Sequence, residues 1–97
     1  MTEMYISITH LDEFGGYTRY RVGQELELRK DKDNLYDDEA IAVFNESNLK
    51  CGYVSNSVGS VARGTKSAGR IYDKIGDRAK CDICFITDQL LIARVNN

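Results

Sequence analysis

The chain has 97 residues, which is the length of one small domain, and we expect a single domain over residues 1–97. Hydrophobic residues make up 42% and charged residues 29%, a balance typical of globular rather than disordered proteins. No run of about 18 apolar residues occurs, which excludes a membrane-spanning helix. The opening residues lack a basic segment followed by an apolar run, so we expect no secretory signal and a cytoplasmic location.

The net charge of −2 argues against a strongly basic nucleic-acid-binding protein. The charges are unevenly spread, since most acidic residues precede residue 50 and a basic segment lies between residues 63 and 80. The cations of this basic segment are Arg63, Lys66, Arg70, Lys74, Arg78 and Lys80. Two interpretations stay open: the segment binds phosphates, or it is a solvated charged face.

Four strands are predicted in the first half of the chain. Ile6 and Ile8 alternate with polar residues, and a period of two is that of a strand with one buried face. A later stretch, Ala40–Phe44, is continuously apolar, which predicts a strand buried on both sides. The predicted strands are Met4–Thr9, Glu25–Arg29, Ala40–Phe44 and Lys50–Val54. Paired glycines after Phe14 predict a loop between the first two.

The second half begins with two short helices, predicted near residues 55–64 and 67–76 from apolar spacings of three and four. Two more strands follow, at Cys81–Phe85 and Leu90–Val95. This order predicts a mostly β fold with two short helices, a small six-stranded barrel of the OB or SH3 shape. The predicted core residues are Ile6, Ile8, Leu26, Leu28, Ile41, Val43, Val61, Ile83, Phe85 and Leu91.

The cysteines number three, and an odd number favours free thiols over a disulfide framework. Cys81 and Cys84 have the spacing of half a zinc site, which Cys51 and His10 could complete in number. However, side chains three positions apart in a regular strand point to opposite faces. We therefore predict buried or half-buried cysteines and no bound metal.

The remaining motifs predict no catalysis. The glycine-containing segment 59–67 differs from a P-loop because Thr65 separates its second glycine from Lys66. The acidic stretch after Asp31 lacks the glycine and glutamate of a calcium loop. His10 is the only histidine, and a lone histidine does not define a catalytic triad. We expect a non-enzymatic protein without a cofactor.

The most specific pattern runs from Leu26 to Val43. It joins an apolar strand, a charged turn containing Asp33-Asn34-Leu35-Tyr36-Asp37, and the strand Ala40-Ile41-Ala42-Val43. Gly52-Tyr53-Val54 follows. This order resembles the central signature of the HIRAN family, and the similarity covers most of residues 4–63.

The resemblance implies a small β-barrel with two helices that binds nucleic acid, in particular the 3′ end of single-stranded DNA. It also implies a role in DNA repair or replication-fork processing and a protein partner with helicase or nuclease activity. By resemblance, Tyr36 and Asp37 contact the terminal nucleotide and its free hydroxyl, while Tyr53 lines the same pocket. The predicted nucleic-acid-binding residues are Phe14, Asn34, Tyr36, Asp37, Tyr53, Arg63, Lys66 and Arg70.

Two features of the sequence favour other interpretations. Asp12 and Glu13 lie where the DNA-binding member of the family has an arginine and aromatic residues, which weakens the attraction of phosphates. Asn34 and Asp37 are also good turn formers, so they could serve the fold alone, with Tyr36 covering one end of the barrel. The alternative function is that of a protein-interaction or adaptor domain that has lost the DNA pocket.

Overall fold

The computed structural model describes residues 3–11, 20–56 and 64–96. These residues form six strands: β1 (Tyr5–Thr9), β2 (Glu25–Lys30), β3 (Ile41–Phe44), β4 (Lys50–Val54), β5 (Arg78–Ile86) and β6 (Leu91–Asn96). Helix α1 (Ala68–Ile71) continues into a 3₁₀ helix (Tyr72–Lys74). The second predicted helix is thus confirmed, whereas the first lies mostly in residues 57–63, outside the described residues. None of the helices in the described ranges could span a membrane.

The strands form a closed antiparallel barrel in the order β1-β4-β3-β2-β5-β6, with β6 pairing back onto β1. Closure leaves none of the six described strands at an open sheet edge, which is one way that small β proteins avoid edge-to-edge aggregation. Because β4 and β5 are three places apart in a ring of six, they lie on opposite sides of the barrel. The predicted six-stranded barrel is confirmed.

The barrel interior holds the alternating apolar residues of the strands. Ile6 and Ile8 of β1 are fully buried, as are Leu28 of β2 and Leu91 of β6. Strand β3 is buried on both faces, as its continuous apolar run predicts. At one side, Ala68 and Ile71 of α1 pack against the same core. Of the ten predicted core residues, eight are buried there, and Val61 lies outside the described residues.

The prediction for Phe85 is wrong, since this side chain is 68% exposed. A β-bulge interrupts the pairing of β5 with β6, so that Ile83 pairs with Ala93 while Phe85 pairs with the next residue, Ile92. The extra residue, Cys84, reverses the inward and outward alternation beyond it. Ile83 remains buried at 1% exposure, and Phe85 is directed outward.

Candidate functional site

The signature turn, residues 31–40, connects β2 to β3 and is held by its own side chains. Asn34 Oδ1 accepts hydrogen bonds from the amides of Tyr36 (2.9 Å) and Asp37 (3.0 Å). Asp37 Oδ1 accepts one from the Glu39 amide at 2.9 Å. Short polar side chains often stabilise turns by this kind of bond to the backbone two or three residues ahead. Asn34 therefore acts through the conformation of the turn, since both lone pairs of its oxygen are used.

Tyr36 stands at the tip of the signature turn. Its side chain is 96% exposed, and that of its neighbour Leu35 is 90% exposed. An aromatic ring at this exposure covers no end of the barrel, which removes that purely structural interpretation of Tyr36. The ring presents its faces to the solvent, where a second flat ring could stack on it.

Asn56, which follows β4, contacts the Asp37 carboxylate from outside the signature turn. Asn56 Nδ2 donates to Asp37 Oδ1 at 3.2 Å and to Oδ2 at 3.0 Å. Asn56 Oδ1 accepts a hydrogen bond from the Gly69 amide in α1, at 2.7 Å. The carboxylate is thereby held in one orientation between the turn and the helix.

Tyr53 of β4 ties the same turn to the barrel. Its hydroxyl donates to Asp31 Oδ2 at 2.8 Å and accepts a hydrogen bond from Lys50 Nζ at 3.0 Å. The lysine ammonium also lies 5.0 Å from the centre of the Tyr53 ring, within range of a cation–π contact. The His10 ring meets the Tyr53 ring edge-on, with centroids 6.4 Å apart. The half-buried Tyr53 ring thus has neighbours of its own, unlike Tyr36.

These groups surround one open cavity of about 560 Å³ between the end of β1, the end of β4 and the signature turn. Its lining includes four of the predicted residues: Asn34, Tyr36, Asp37 and Tyr53. Phe14 and Arg63, together with Asp12 and Glu13, lie outside the described residues. Lys66 and Arg70 are not among its lining residues.

The other six lining residues were not predicted as site residues, and two of them, His10 and Asn56, carry polar side chains that contact predicted ones. His10 has a backbone φ of 64°, a left-handed conformation that is uncommon outside glycine. Neither residue belongs to a periodic pattern, because each follows the end of a strand and only the closure of the barrel brings them together. For Asn56, its position two residues after Gly52-Tyr53-Val54 was the available signal.

The basic segment is divided by the fold. Arg78 and Lys80 lie on β5, where Glu27 and Glu25 of β2 approach them at 3.9 Å and 3.3 Å. Arg70 is exposed on α1, one residue after the Gly69 amide that Asn56 binds. Lys66 runs beside β1, with its amide donating to the Tyr5 carbonyl at 2.7 Å. Within the described residues, Lys66, Arg70 and Lys74 form no ion pair.

The three cysteines are free thiols that differ in burial. Cys51 is buried in the core and donates to the Val43 carbonyl at 3.4 Å, while Cys81 is fully buried and Cys84 is only half-buried. Burial raises the pKa of the Cys81 thiol to about 12 and raises that of Cys51 as well. In residues 3–11, 20–56 and 64–96, no group of three or more His, Cys, Asp or Glu side chains could hold a metal ion.

Comparison with protein families matches residues 4–80 of the chain to the HIRAN domain. The chain belongs to the HIRAN family. HIRAN domains are generally DNA-binding modules, so membership implies that this chain binds nucleic acid. Comparison with curated protein sequences gave no match.

Two solved structures have the same fold as this HIRAN domain. The HIRAN domain of human HLTF aligns with a TM-score of 0.66 and 16% sequence identity, over 96% of this chain and 74% of that one. A protein from Lactobacillus plantarum aligns with a TM-score of 0.61 and 20% identity, over 99% of this chain and 98% of that one. At these identities the similarity establishes the fold alone.

Proposed function

We propose that this HIRAN domain binds the 3′ end of single-stranded DNA in the cavity beside the signature turn. The observation that carries the proposal is the pairing of a freely exposed aromatic ring, Tyr36, with a carboxylate held in place, Asp37. Neither side chain is needed to fill the core, and both face one open cavity of nucleotide size.

The two side chains suit the two parts of a terminal nucleotide. An aromatic face stacks on a base with little regard to its identity and contributes about 1–3 kcal/mol per base. A carboxylate accepts a hydrogen bond from a free 3′ hydroxyl, whereas it repels a 3′ phosphate. Together, Tyr36 and Asp37 favour a strand end over an internal nucleotide.

The surrounding charges predict modest affinity. Asp31, Asp33, Asp38 and Glu39 lie in the signature turn itself, and Asp12 and Glu13 add acidic charge to the sequence. Each lost cation or added anion weakens the binding of phosphates. We expect dissociation constants in the micromolar range or above at physiological salt, close to non-specific binding. The domain would act by binding alone, in DNA repair or fork processing, beside a partner that supplies helicase or nuclease activity.

The test is a titration of fluorescent single-stranded oligonucleotides that end in a 3′ hydroxyl or a 3′ phosphate, followed by anisotropy. Wild type should prefer the free hydroxyl, Tyr36→Ala should weaken both complexes, and Asp37→Ala should remove the preference. Leu35→Ala is the matched control, since this neighbouring side chain is almost as exposed as Tyr36 and has no proposed contact. Equal binding of both oligonucleotides by wild type, unaffected by Asp37→Ala, would contradict end recognition.

A second candidate function is that of an adaptor domain for another protein. It is favoured by the acidic signature turn and by the neutralisation of Arg78 and Lys80 on β5. An adaptor would leave both oligonucleotides unbound even at low salt, where electrostatic binding is strongest. That outcome would replace the DNA-end proposal.

A further inference from the structure

Asn56 makes three contacts that connect the cavity to the adjacent helix. Its Nδ2 reaches both oxygens of Asp37, and its Oδ1 receives the Gly69 amide. The orientation of this amide group is determined by its neighbours, because a carboxylate needs a donor and a backbone N–H needs an acceptor. Exchanging the nitrogen and oxygen of Asn56 would leave all three contacts unfavourable.

The hydrogen bonds on Asp37 leave one oxygen with spare capacity. A carboxylate oxygen has two lone pairs. Both pairs of Oδ1 are used, by the Glu39 amide at 2.9 Å and by Asn56 at 3.2 Å. Oδ2 accepts from Asn56 alone among the described residues, at 3.0 Å. A hydroxyl entering the cavity therefore meets one acceptor, Oδ2, in a fixed orientation.

Gly69 permits this arrangement. A Cβ atom at this position would lie 2.6 Å from Glu39 Oε1 and 3.1 Å from Asn56 Oδ1, closer than ordinary contacts. The helix backbone can thus approach Asn56 closely enough to fix its side chain.

We propose that Asn56 is a positioning residue that gives Asp37 its ability to distinguish a free 3′ hydroxyl from a 3′ phosphate. It keeps Oδ2 available and prevents the carboxylate from rotating away when a phosphate approaches. Without Asn56, Asp37 can adopt several rotamers, so it accepts the hydroxyl less often and repels the phosphate less strongly. The preference should fall even if the domain remains folded.

The experiment uses the whole chain and the two oligonucleotides described above, with three variants. Asn56→Ala removes all three contacts. Asn56→Asp keeps an acceptor for the Gly69 amide but replaces the donor to Asp37 by a second negative oxygen. Asn45→Ala is the matched control, because the Asn45 side chain likewise holds a loop in place, by accepting from the amides of Ser47 and Leu49, but lies outside the cavity. Thermal unfolding of each variant shows that it is folded at the temperature of the titration.

We expect the ratio of the two dissociation constants to fall about 5- to 10-fold in both Asn56 variants, which is the effect of losing one ordinary hydrogen bond, and to stay unchanged in Asn45→Ala. If Asn56→Ala does not fold, Asn56→Asp alone tests whether Asn56 gives Asp37 its preference for a free 3′ hydroxyl. A wild-type preference that persists in Asn56→Asp would overturn the role of Asn56. Because that role rests on the proposed function, a wild type without any preference would instead refute the proposed function itself.

Discussion

Gly52, the first residue of the Gly-Tyr-Val motif, lies in β4 close to the end of β1. A Cβ atom there would lie 2.5 Å from the Thr9 carbonyl oxygen and 3.1 Å from a methyl group of Ile8. Since the first of these is a backbone atom in a paired strand, it cannot move without disturbing the ladder. The glycine thus allows β1 and β4 to bring His10 and Asn56 to the same cavity.

Gly52→Ala should lower the free energy of unfolding by about 1–3 kcal/mol, as other overpacking substitutions do. Urea unfolding followed by circular dichroism measures the change. Gly76→Ala is the control, because a Cβ atom there would lie at an ordinary 3.7 Å from its nearest neighbour, the Arg78 carbonyl oxygen. Equal losses in the two variants would contradict the close approach at Gly52.

The three thiols should differ sharply in reactivity. The thiolate is the nucleophile, and burial raises the pKa of Cys81 to about 12 and also raises that of Cys51. In the native protein near pH 8, a thiol reagent should therefore react first with Cys84, and with all three after unfolding in denaturant. Cys84→Ser should remove the fast reaction. A fast reaction that persists in Cys84→Ser would show that a core cysteine is accessible.

Among the elements, β5 shows how one inserted residue changes which of the following side chains point into the barrel. Its first part alternates as the sequence predicts, with Cys81 and Ile83 buried. The bulge at Cys84 then directs Phe85 to the solvent. Alternation is a local property, whereas a bulge depends on the register with the partner strand, which the sequence of β5 alone does not contain.

The bulge predicts unequal effects of truncation on its two sides. Ile83→Ala should cost about 2–5 kcal/mol of unfolding free energy, because it leaves a cavity in the core. Phe85→Ala should change it by less than about 0.5 kcal/mol, as for ordinary surface positions. Chemical denaturation of both variants provides the comparison. A large loss in Phe85→Ala would mean that the register continues without a bulge.

At the scale of the whole molecule, the fold separates the cations of the basic segment into two groups. Arg78 and Lys80 lie on β5, each beside a glutamate of β2. Arg70 is exposed on α1, next to the residue that contacts Asn56. A net charge of −2 is therefore compatible with a local basic surface, because charges that are close in sequence are separated in the fold.

This separation predicts different effects on the salt dependence of oligonucleotide binding. Each phosphate contact to a single strand contributes about −0.7 to the slope of log K against log salt. Arg70→Ala should make the slope shallower by about that amount, while Arg78→Ala should leave it unchanged. Anisotropy titrations at several salt concentrations measure both slopes. A shallower slope in Arg78→Ala, together with an unchanged slope in Arg70→Ala, would place the nucleic acid on the β5 side of the barrel.

The sequence by itself determined the strands, because alternation, apolar runs and turn formers such as Asn34 act over a few residues. It also determined the family, since the signature from Leu26 to Val43 is contiguous. Only the tertiary structure decided that Phe85 is exposed, that Arg78 is paired, and that His10 and Asn56 meet at the cavity. These outcomes depend on strand register and on contacts between residues far apart in the chain, such as Asn56 with Asp37. Such contacts form only when the barrel closes and brings the partners together, and no local pattern encodes that closure.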